Sequence, residues 1–387
     1  MRLLFTTWAW PSHLYALVPT AWACRAAGHE VVVATQPALV RETARCGLPV
    51  AAVGHDVDAV AMVRGYVLGA PEHAAAPRGA GPRAMEMFLA HAESMLDGLL
   101  ALAREFRPDA VVFEPTALAG PPAARALGVP AVRHLYGTDL MARARTVLPG
   151  QLAALACRHG LEPADPYGAL TLDPTPPGLR MPGAPPSVPV RYVPYNGGGR
   201  YPGLPAPDRP RVCVTWGHTM ARLAPRHFLL PEAVRALHPL GVEVVAAVSA
   251  AQVPLLGRLP DGVRVVVDAP LHTLLDGCAA VVAHGGAGTV LTSLHHGVPL
   301  LLVPQLPDHA GHAAAVTAAG AARLLPAADA SPGRLREECA ALLDDAAARD
   351  AARLLRREML RQPGPDRLAA DLAALLGRGR PQGTRTG

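Results

Sequence analysis

Short apolar runs recur along the chain, and stretches with helical spacing separate them. The runs are apolar throughout, which is typical of strands buried on both faces of a parallel sheet. This pattern constrains the fold more than any other feature, because it predicts an α/β protein built from βα units. The predicted strands are 3–7, 31–35, 49–53, 109–114 and 130–135 in the first half, and 211–216, 242–248, 263–267, 279–284 and 299–304 in the second.

A segment rich in Pro and Gly separates the two series of strands. It spans 172–210 and is densest at 196–210, a composition that marks a linker. A chain of 387 residues is also too long for one ordinary core. We therefore predict a domain at 1–195, a linker at 196–210, a second domain at 211–362, and a C-terminal helix with a disordered tail at 363–387. Weak periodicity predicts mobile loops at 54–84.

The composition argues against several classes of protein. No apolar run is long enough to span a bilayer, and the first residues lack the features of a signal peptide, so we expect a cytoplasmic protein. The net charge of +5 is spread along the chain, all 36 basic residues are Arg, and aromatic residues make up only 4%, which disfavours nucleic-acid binding. The six Cys are scattered without the close spacing of a metal or disulfide framework.

The most informative local motif is HGGAGT at 284–289. An apolar run ends in His284, a Gly-rich turn follows, and helical spacing begins next. Such a turn places free backbone N–H groups and a helix N-terminus at the end of a strand, where an anion binds. Asp308 lies just after the next apolar run. The arrangement predicts a phosphate-bearing ligand with an acidic contact from the neighbouring loop.

Several fragments, in this order, resemble the GT-B glycosyltransferases of family 1, particularly bacterial enzymes that decorate antibiotics and other natural products. The resemblance implies an α/β fold of the GT-B type, with two Rossmann-like βαβ domains facing a central cleft. It implies inverting, metal-independent transfer of a deoxysugar from a TDP- or UDP-sugar to a small hydrophobic aglycone, without a cofactor, and a homodimer as one option. The fragments are SHLYALVP (12–19), AAGHEVVVAT (26–35), VVFEP (111–115), VRHLYGTD (132–139), PLHTLL (270–275), HGGAGT (284–289), GVP (297–299) and the segment 304–308.

The same resemblance assigns three candidate catalytic residues. His13 follows the first strand, and in the family a His here removes the proton of the acceptor hydroxyl, which is a poor nucleophile until it is deprotonated. Glu114 matches the acidic partner that orients this His, although an ion pair with Arg is the simpler alternative. Asp139 is a further acidic candidate, including for transfer to an aromatic carbon, with an ordinary turn as the alternative. His134 is expected to be a hydrogen-bonded structural residue.

The donor site is assigned in the same way. The diphosphate is expected on His284, Gly285, Gly286, Ala287, Gly288 and Thr289, with His218 or Thr219 from the turn after 211–216. Asp308 and His309 occupy the family's Asp-Gln pair that binds sugar hydroxyls, and His309 in place of Gln suits a deoxygenated or amino sugar. Asp268 stands where relatives often have a Trp that stacks on the base. Base recognition is therefore expected to use backbone groups near Pro270 and Leu271.

Other interpretations remain open from sequence alone. Asp56-Val57-Asp58 is a D-x-D pattern that holds a divalent metal in a different glycosyltransferase fold, and His295, His296, His309 and His312 suggest zinc. A dinucleotide-dependent oxidoreductase would have GxGxxG after the first strand, where this chain has WAWPSH. A sugar-nucleotide epimerase shares the expected architecture. A catalytically silent helper protein that binds a sugar nucleotide is the non-enzymatic alternative.

Overall fold

The computed structural model of the protein describes residues 1–67 and 80–378. Its first half forms a sheet of seven parallel strands in the order β3-β2-β1-β4-β5-β6-β7. From β1 the chain runs through β2 to β3 at one edge of the sheet and then returns to β4, so β1 and β4 are neighbours near the centre. The strands are β1 (Arg2–Thr6), β2 (Glu30–Thr35), β3 (Val50–Ala52), β4 (Ala110–Phe113), β5 (Ala131–His134), β6 (Leu170–Asp173) and β7 (Val188–Pro189).

The helices of this half begin and end where local sequence signals place them. The first begins with Pro at its first position and is followed by Gly28 at φ +86°, a conformation that suits glycine. The fifth ends at Gly128 in the left-handed conformation. They are α1 (Pro11–Ala26), α2 (Pro37–Arg45), α3 (Ala59–Val67), α4 (Ala80–Phe106), α5 (Gly120–Leu127) and α6 (Leu148–Arg158).

The second half forms a separate sheet of six parallel strands in the order β10-β9-β8-β11-β12-β13. The strands are β8 (Arg211–Thr215), β9 (Glu243–Val248), β10 (Arg264–Val267), β11 (Cys278–Ala283), β12 (Leu300–Leu302) and β13 (Ala322–Leu324). The helices are α7 (Thr219–Leu223), α8 (Leu230–Leu237), α9 (Ala287–His295), α10 (Pro307–Ala318), α11 (Pro332–Asp344), α12 (Ala346–Arg361) and α13 (Pro365–Arg378). None of the helices in the described ranges is long and apolar enough to cross a membrane.

The sheet order places the site. Thr6 of β1 pairs with Phe113 of β4, so the turns that follow these two strands lie side by side. Thr215 of β8 pairs with Ala283 of β11, which brings the next two turns together in the second sheet. Both junctions are points where the strand order reverses, the position at which open α/β sheets bind ligands.

The two halves of the chain contact each other in two places: near the turns described above, and through the last helix. Between β5 and α6, Gly137 packs so closely on Ala287 and His312 that an added Cβ would stand 2.8 Å and 3.0 Å from their nearest atoms. The last helix, α13, returns to the first sheet, where Leu368 and Leu372 join the core around α1. The C-terminal helix therefore packs on the half of the chain that is distant in sequence.

Some expectations from the sequence were wrong. The mobile loops predicted at 54–84 include α3 and the start of α4, because Ala59 and Val63 form a buried face that weak periodicity had concealed. The Pro- and Gly-rich stretch from 172 contains the end of β6 and all of β7. β7 has only two residues, and β6 (LTLD) and β13 (ARL) carry polar or charged residues, so none of the three was detected as an apolar run. The parts of these predictions at 68–79, and of the disordered tail at 379–387, lie outside the described residues.

Candidate active site

His13 is held by two groups from the turn after β4. Its Nδ1 lies 3.3 Å from a carboxylate oxygen of Glu114 and 3.1 Å from the hydroxyl of Thr116. Since the carboxylate only accepts hydrogen bonds, the proton of the neutral ring belongs on Nδ1. Nε2 is then the unprotonated nitrogen, available as a base. The structure brings together the His and Glu that the sequence predicted as a pair.

Thr116 is a member of this network that the sequence analysis missed. Its hydroxyl lies 2.7 Å from Oε2 of Glu114, and its backbone N–H donates to the same oxygen at 2.8 Å. The indole N–H of Trp8 donates to the Thr116 hydroxyl at 2.8 Å. Thr116 therefore connects the buried carboxylate, the indole and the imidazole. The only sequence signal was a hydroxyl residue two positions after Glu114.

Aromatic rings enclose the imidazole of His13. The ring of Tyr136 lies 4.4 Å away at 32°, and the ring of Trp8 lies 5.1 Å away at 70°. Trp10 stacks on Trp8 at 5.2 Å, and Phe88 lies 6.2 Å from Trp8. This apolar wall beside a polar base is suited to a hydrophobic acceptor that presents one hydroxyl.

Asp139 occupies a position with structural contacts. Its carboxylate forms a buried ion pair with Arg133 at 2.8 Å and accepts from the backbone N–H of Ala142 at 3.2 Å. Both oxygens are engaged, which favours a role in fixing the 136–141 loop over a role as a base. His134 has the structural role expected of it: Nε2 bonds to Thr20 at 2.8 Å, and burial lowers its pKa to about 4.

The predicted diphosphate turn forms the N-terminus of α9. Gly286 is the N-cap residue and supplies no side-chain cap. Within the described ranges, the backbone N–H groups of Ala287, Gly288 and Thr289 have no hydrogen-bond partner. A Cβ placed on Gly288 would have no atom within 4 Å, so space remains beside these donors. Exposed N–H groups and the positive end of the helix dipole together favour an anion.

Glycines on both sides of His284 make this turn possible. Gly285 has φ +95°, and Gly217, after β8, has φ +58°. A Cβ on Gly217 or on Gly286 would stand 2.6 Å from the His284 ring, so both positions require glycine for close packing. The turn carrying His218 and Thr219 is thereby placed against the predicted diphosphate turn. His218 has a lowered pKa, mainly because burial disfavours its charged form.

Asp308 and His309 begin α10, beside the same turn. The ring of His309 lies 4.5 Å from that of His284 at 80°, and its Nε2 is 3.9 Å from a carboxylate oxygen of Asp308. The Asp308 side chain is 49% exposed. Desolvation raises the pKa of Asp308, but the imidazoles of His309, His312 and His13 outweigh it and lower the pKa overall. The pKa of Asp308 therefore depends on His309 and His312 in its own domain and on His13 in the other domain.

His312 is a second residue that the sequence analysis did not place at the site. It lies one helical turn after Asp308, and its ring is 6.4 Å from that of Tyr136. Burial lowers its pKa to about 4. Its spacing from Asp308 on a helix was the available signal.

The expected base-recognition segment lies at the interdomain linker. Pro270 is the residue before a short 3-10 helix at Leu271–Thr273, and the linker residue Asn196 accepts a hydrogen bond from the N–H of His272 at 3.1 Å. Gly199 packs directly against the carbonyl of Asp268. The Asp268 carboxylate accepts from the N–H of Ala250 at 3.0 Å, so it fixes the loop and does not present a stacking surface.

The residues behind the two metal hypotheses have other contacts. Asp56 accepts from the N–H of Ala38 and Asp58 from that of Ala61, each at 2.9 Å, so both carboxylates stabilise turns. His295 and His296 are at the C-terminal end of α9, opposite the diphosphate turn. In the two described ranges, no group of three or more His, Cys, Asp or Glu side chains is arranged to hold a metal.

Two parallel-sheet α/β domains, each with a point where the strand order reverses, are the architecture of the GT-B glycosyltransferases. The family description "Erythromycin biosynthesis protein CIII-like" matches the chain with its N-terminal domain at 22–217 and its C-terminal domain at 232–375. The chain belongs to this family and is a glycosyltransferase of the natural-product type, which confirms the resemblance found in the sequence.

Individual relatives align with this chain along nearly its whole length. The 10-deoxymethynolide desosaminyltransferase of Streptomyces venezuelae is 35% identical, with 97% of each chain covered. The L-demethylnoviosyl transferase of Streptomyces niveus is 38% identical, covering 97% of this chain and 98% of the relative. Among solved structures, the spinosyn rhamnosyltransferase SpnG superimposes with a TM-score of 0.83 at 33% identity, covering 96% of this chain and all of SpnG. SpnG has also been solved with its spinosyn aglycone and with thymidine diphosphate.

Proposed function

We propose that the protein transfers a deoxysugar from a TDP- or UDP-sugar to a hydroxyl of a hydrophobic natural-product aglycone, with inversion and without a metal or other cofactor. The supporting observation is the position of His13, fixed by Glu114 and Thr116, with the ring of Tyr136 between it and His312 of the donor side. A sugar-nucleotide donor is compatible with a protein that acts in the cytoplasm. Transfer to an aromatic carbon is the variant of this reaction in which the base acts on a phenol.

The proposed mechanism assigns each half of the site one task. Nε2 of His13 takes the proton of the acceptor hydroxyl as the oxygen attacks the anomeric carbon, and Glu114 stabilises the imidazolium that forms. The bond to the diphosphate breaks on the opposite face of the sugar. The free N–H groups at the start of α9 stabilise the negative charge that develops on the leaving diphosphate. Direct displacement inverts the anomeric configuration and needs no protein carboxylate as nucleophile.

The donor side supports a diphosphate sugar with a modified hydroxyl pattern. Asp308 is available to bind sugar hydroxyls, whereas His309 stands where the family has a Gln. An imidazole has only two hydrogen-bonding nitrogens in place of the oxygen and NH₂ group of an amide, and this suits a deoxygenated or amino sugar. Two relatives are named as a desosaminyl and a demethylnoviosyl transferase, and thymidine diphosphate is bound in SpnG.

Incubation with TDP- and UDP-deoxysugars and a panel of macrolactone and aromatic aglycones tests this proposal. We expect a glycosylated product by mass spectrometry, no loss of turnover on adding EDTA, and opposite anomeric configurations in donor and product by NMR. A product formed from the donor alone would instead identify an epimerase. Net retention would contradict direct displacement, and light scattering on the same sample tests for a homodimer.

A further inference from the structure

Three buried imidazoles of the second domain, those of His284, His309 and His312, each have a nitrogen without a partner in the described residues, and the first two are adjacent. Nδ1 of His284 and Nδ1 of His309 are inaccessible to solvent and make no hydrogen bond in the described structure. Their rings meet edge to face at 4.5 Å. Unsatisfied buried polar atoms are rare in folded proteins and require an explanation. The His284 ring packs on Gly286, the residue before the free N–H groups of the α9 N-terminus, so an anion bound at that turn would lie close to the pair.

The groups around this pair keep both rings uncharged in the free protein. Burial lowers the pKa of His284, and so do His309 and His218, which face it from α10 and from the turn after β8. Burial also lowers the pKa of His309, although Asp308 raises it. Asp308 and His312 lie on α10 with His309. Two further charged or titratable groups influence their pKa values: His13, from the first domain, and Arg143.

We propose that His309 takes up a proton when the diphosphate of the sugar nucleotide binds, and that the resulting imidazolium neutralises the diphosphate as it leaves. This inference rests on the proposed function. A sugar nucleotide carries two negative charges on its diphosphate. At the effective dielectric of a partly buried site, one unit charge a few ångströms away shifts a pKa by about two units, so a nearby diphosphate acts on His309 in the direction opposite to burial.

His309 is the member of the pair that accepts the proton. Its Nε2 lies 3.9 Å from the carboxylate of Asp308, which favours the charged ring. His284 has two other imidazoles as neighbours, and they disfavour charge on it. His309 can therefore take up a proton, whereas the amide of the Gln that stands here in the family cannot.

The proton balance of the reaction is complete. On binding, solvent supplies one proton to His309. During transfer, the acceptor oxygen forms its bond to the anomeric carbon, its proton goes to Nε2 of His13, and the electron pair of the broken bond stays on the diphosphate. The imidazolium of His309 offsets the added negative charge. Both imidazolium protons return to solvent when the nucleoside diphosphate and the glycoside are released.

Calorimetric titration in two buffers of different ionisation enthalpy measures the number of protons taken up per nucleotide bound. TDP-glucose and UDP-glucose are suitable probes because their diphosphates do not titrate near neutral pH. We expect an uptake approaching about one proton at pH 6.5 in the wild type. The dissociation constant should rise by up to about tenfold per pH unit between the pKa of His309 in the free protein and its higher pKa in the complex, and should level off above the latter. In His309→Gln the uptake should fall close to zero while the nucleotide still binds.

His295→Gln is the matched control, because His295 is also a partly buried imidazole with an unpartnered Nδ1 but lies at the other end of α9. It should take up as many protons as the wild type. Equal uptake in His309→Gln, or pH-independent binding in the wild type, would overturn the inference and leave the proposed function intact. If His309→Gln does not bind the nucleotide, the inference is tested by the proton uptake of His309→Asn and by the pH dependence of the wild-type dissociation constant. Failure of the folded wild type to bind either nucleotide would contradict the proposed function itself.

Discussion

The two sides of the site are built in opposite ways. On the acceptor side, Nδ1 of His13 contacts Glu114 and Thr116, and Thr116 is in turn bonded to Trp8. On the donor side, the backbone N–H groups at the start of α9 and the Nδ1 atoms of His284 and His309 have no partner within the described ranges. The orienting nitrogen of the base is thus satisfied by the protein itself, whereas the groups at the α9 turn have no protein partner.

This difference indicates how each side contributes to the reaction. A base must have a fixed orientation and tautomer before the acceptor arrives, so its polar contacts come from the protein. A diphosphate site must exchange a charged ligand in each cycle, so its donors remain free until the ligand binds. Changes on the acceptor side should therefore alter kcat or stability and leave affinity for the sugar nucleotide near the wild-type value, whereas changes on the donor side should alter that affinity, with or without an effect on kcat.

The largest effect is expected for His13→Ala. Removing the base should lower kcat by about 10²- to 10⁴-fold, the usual contribution of general-base catalysis, while the affinity for the sugar nucleotide stays near the wild-type value. Steady-state kinetics and nucleotide titration measure the two quantities. His238→Ala, at an exposed position after α8, is the control and should behave as wild type. A kcat within a few-fold of wild type would remove His13 from the mechanism.

Asp139→Asn should affect stability more than chemistry. Arg133 is nearly inaccessible, and neutralising its partner leaves a buried charge uncompensated, which costs about 3–5 kcal/mol in the free energy of unfolding. Denaturant unfolding measures this loss. The double variant Arg133→Met with Asp139→Leu should recover much of it, because no unpaired charge remains. If Asp139→Asn unfolds like the wild type but loses kcat, the catalytic assignment made from the sequence is restored.

Thr116→Val tests whether the acceptor side depends on its complete network. The change removes the hydroxyl that contacts both His13 and Glu114 but keeps the shape of the side chain. We expect kcat/KM to fall by about tenfold, with a changed pH profile, because the imidazole loses one orienting contact. Thr43→Val is the control, since the Thr43 hydroxyl bonds only within α2. An unchanged pH profile would reduce Thr116 to a packing residue.

The sequence predicted the architecture well and the site in part. Apolar runs report strands buried on both faces, so ten of the thirteen described strands were found. β7 is only two residues long, and β6 (LTLD) and β13 (ARL) include polar or charged residues that break the apolar run. The GT-B fold was confirmed. The diphosphate turn stays a prediction, made possible because its glycines are adjacent in sequence.

What the sequence could not supply was contact between distant segments. Thr116 joins the base network only because β4 lies beside β1 in the folded sheet. The pairing of Asp139 with Arg133 depends on how the loop after β5 folds back, which no spacing rule indicates. The spacing of His312 from Asp308 was readable from the sequence, but its contact with Gly137 of the other domain was not. Each of these residues is an ordinary Thr, Asp or His when considered one segment at a time.

The smallest effect, and the one that best separates the two sides, is expected for Gly288→Ala. Gly288 lies in the first turn of α9 with ordinary helical geometry, and an added methyl group would meet no atom of the protein. The folded protein should gain about 0.5–1 kcal/mol, because alanine loses less backbone entropy than glycine in a helix. If the diphosphate occupies that space, the dissociation constant of the sugar nucleotide should nevertheless rise. Gly286→Ala is the matched variant: its methyl would stand 2.6 Å from the His284 ring, so it should lose both stability and affinity. Equal nucleotide affinity in Gly288→Ala and the wild type would move the diphosphate away from this face of the helix.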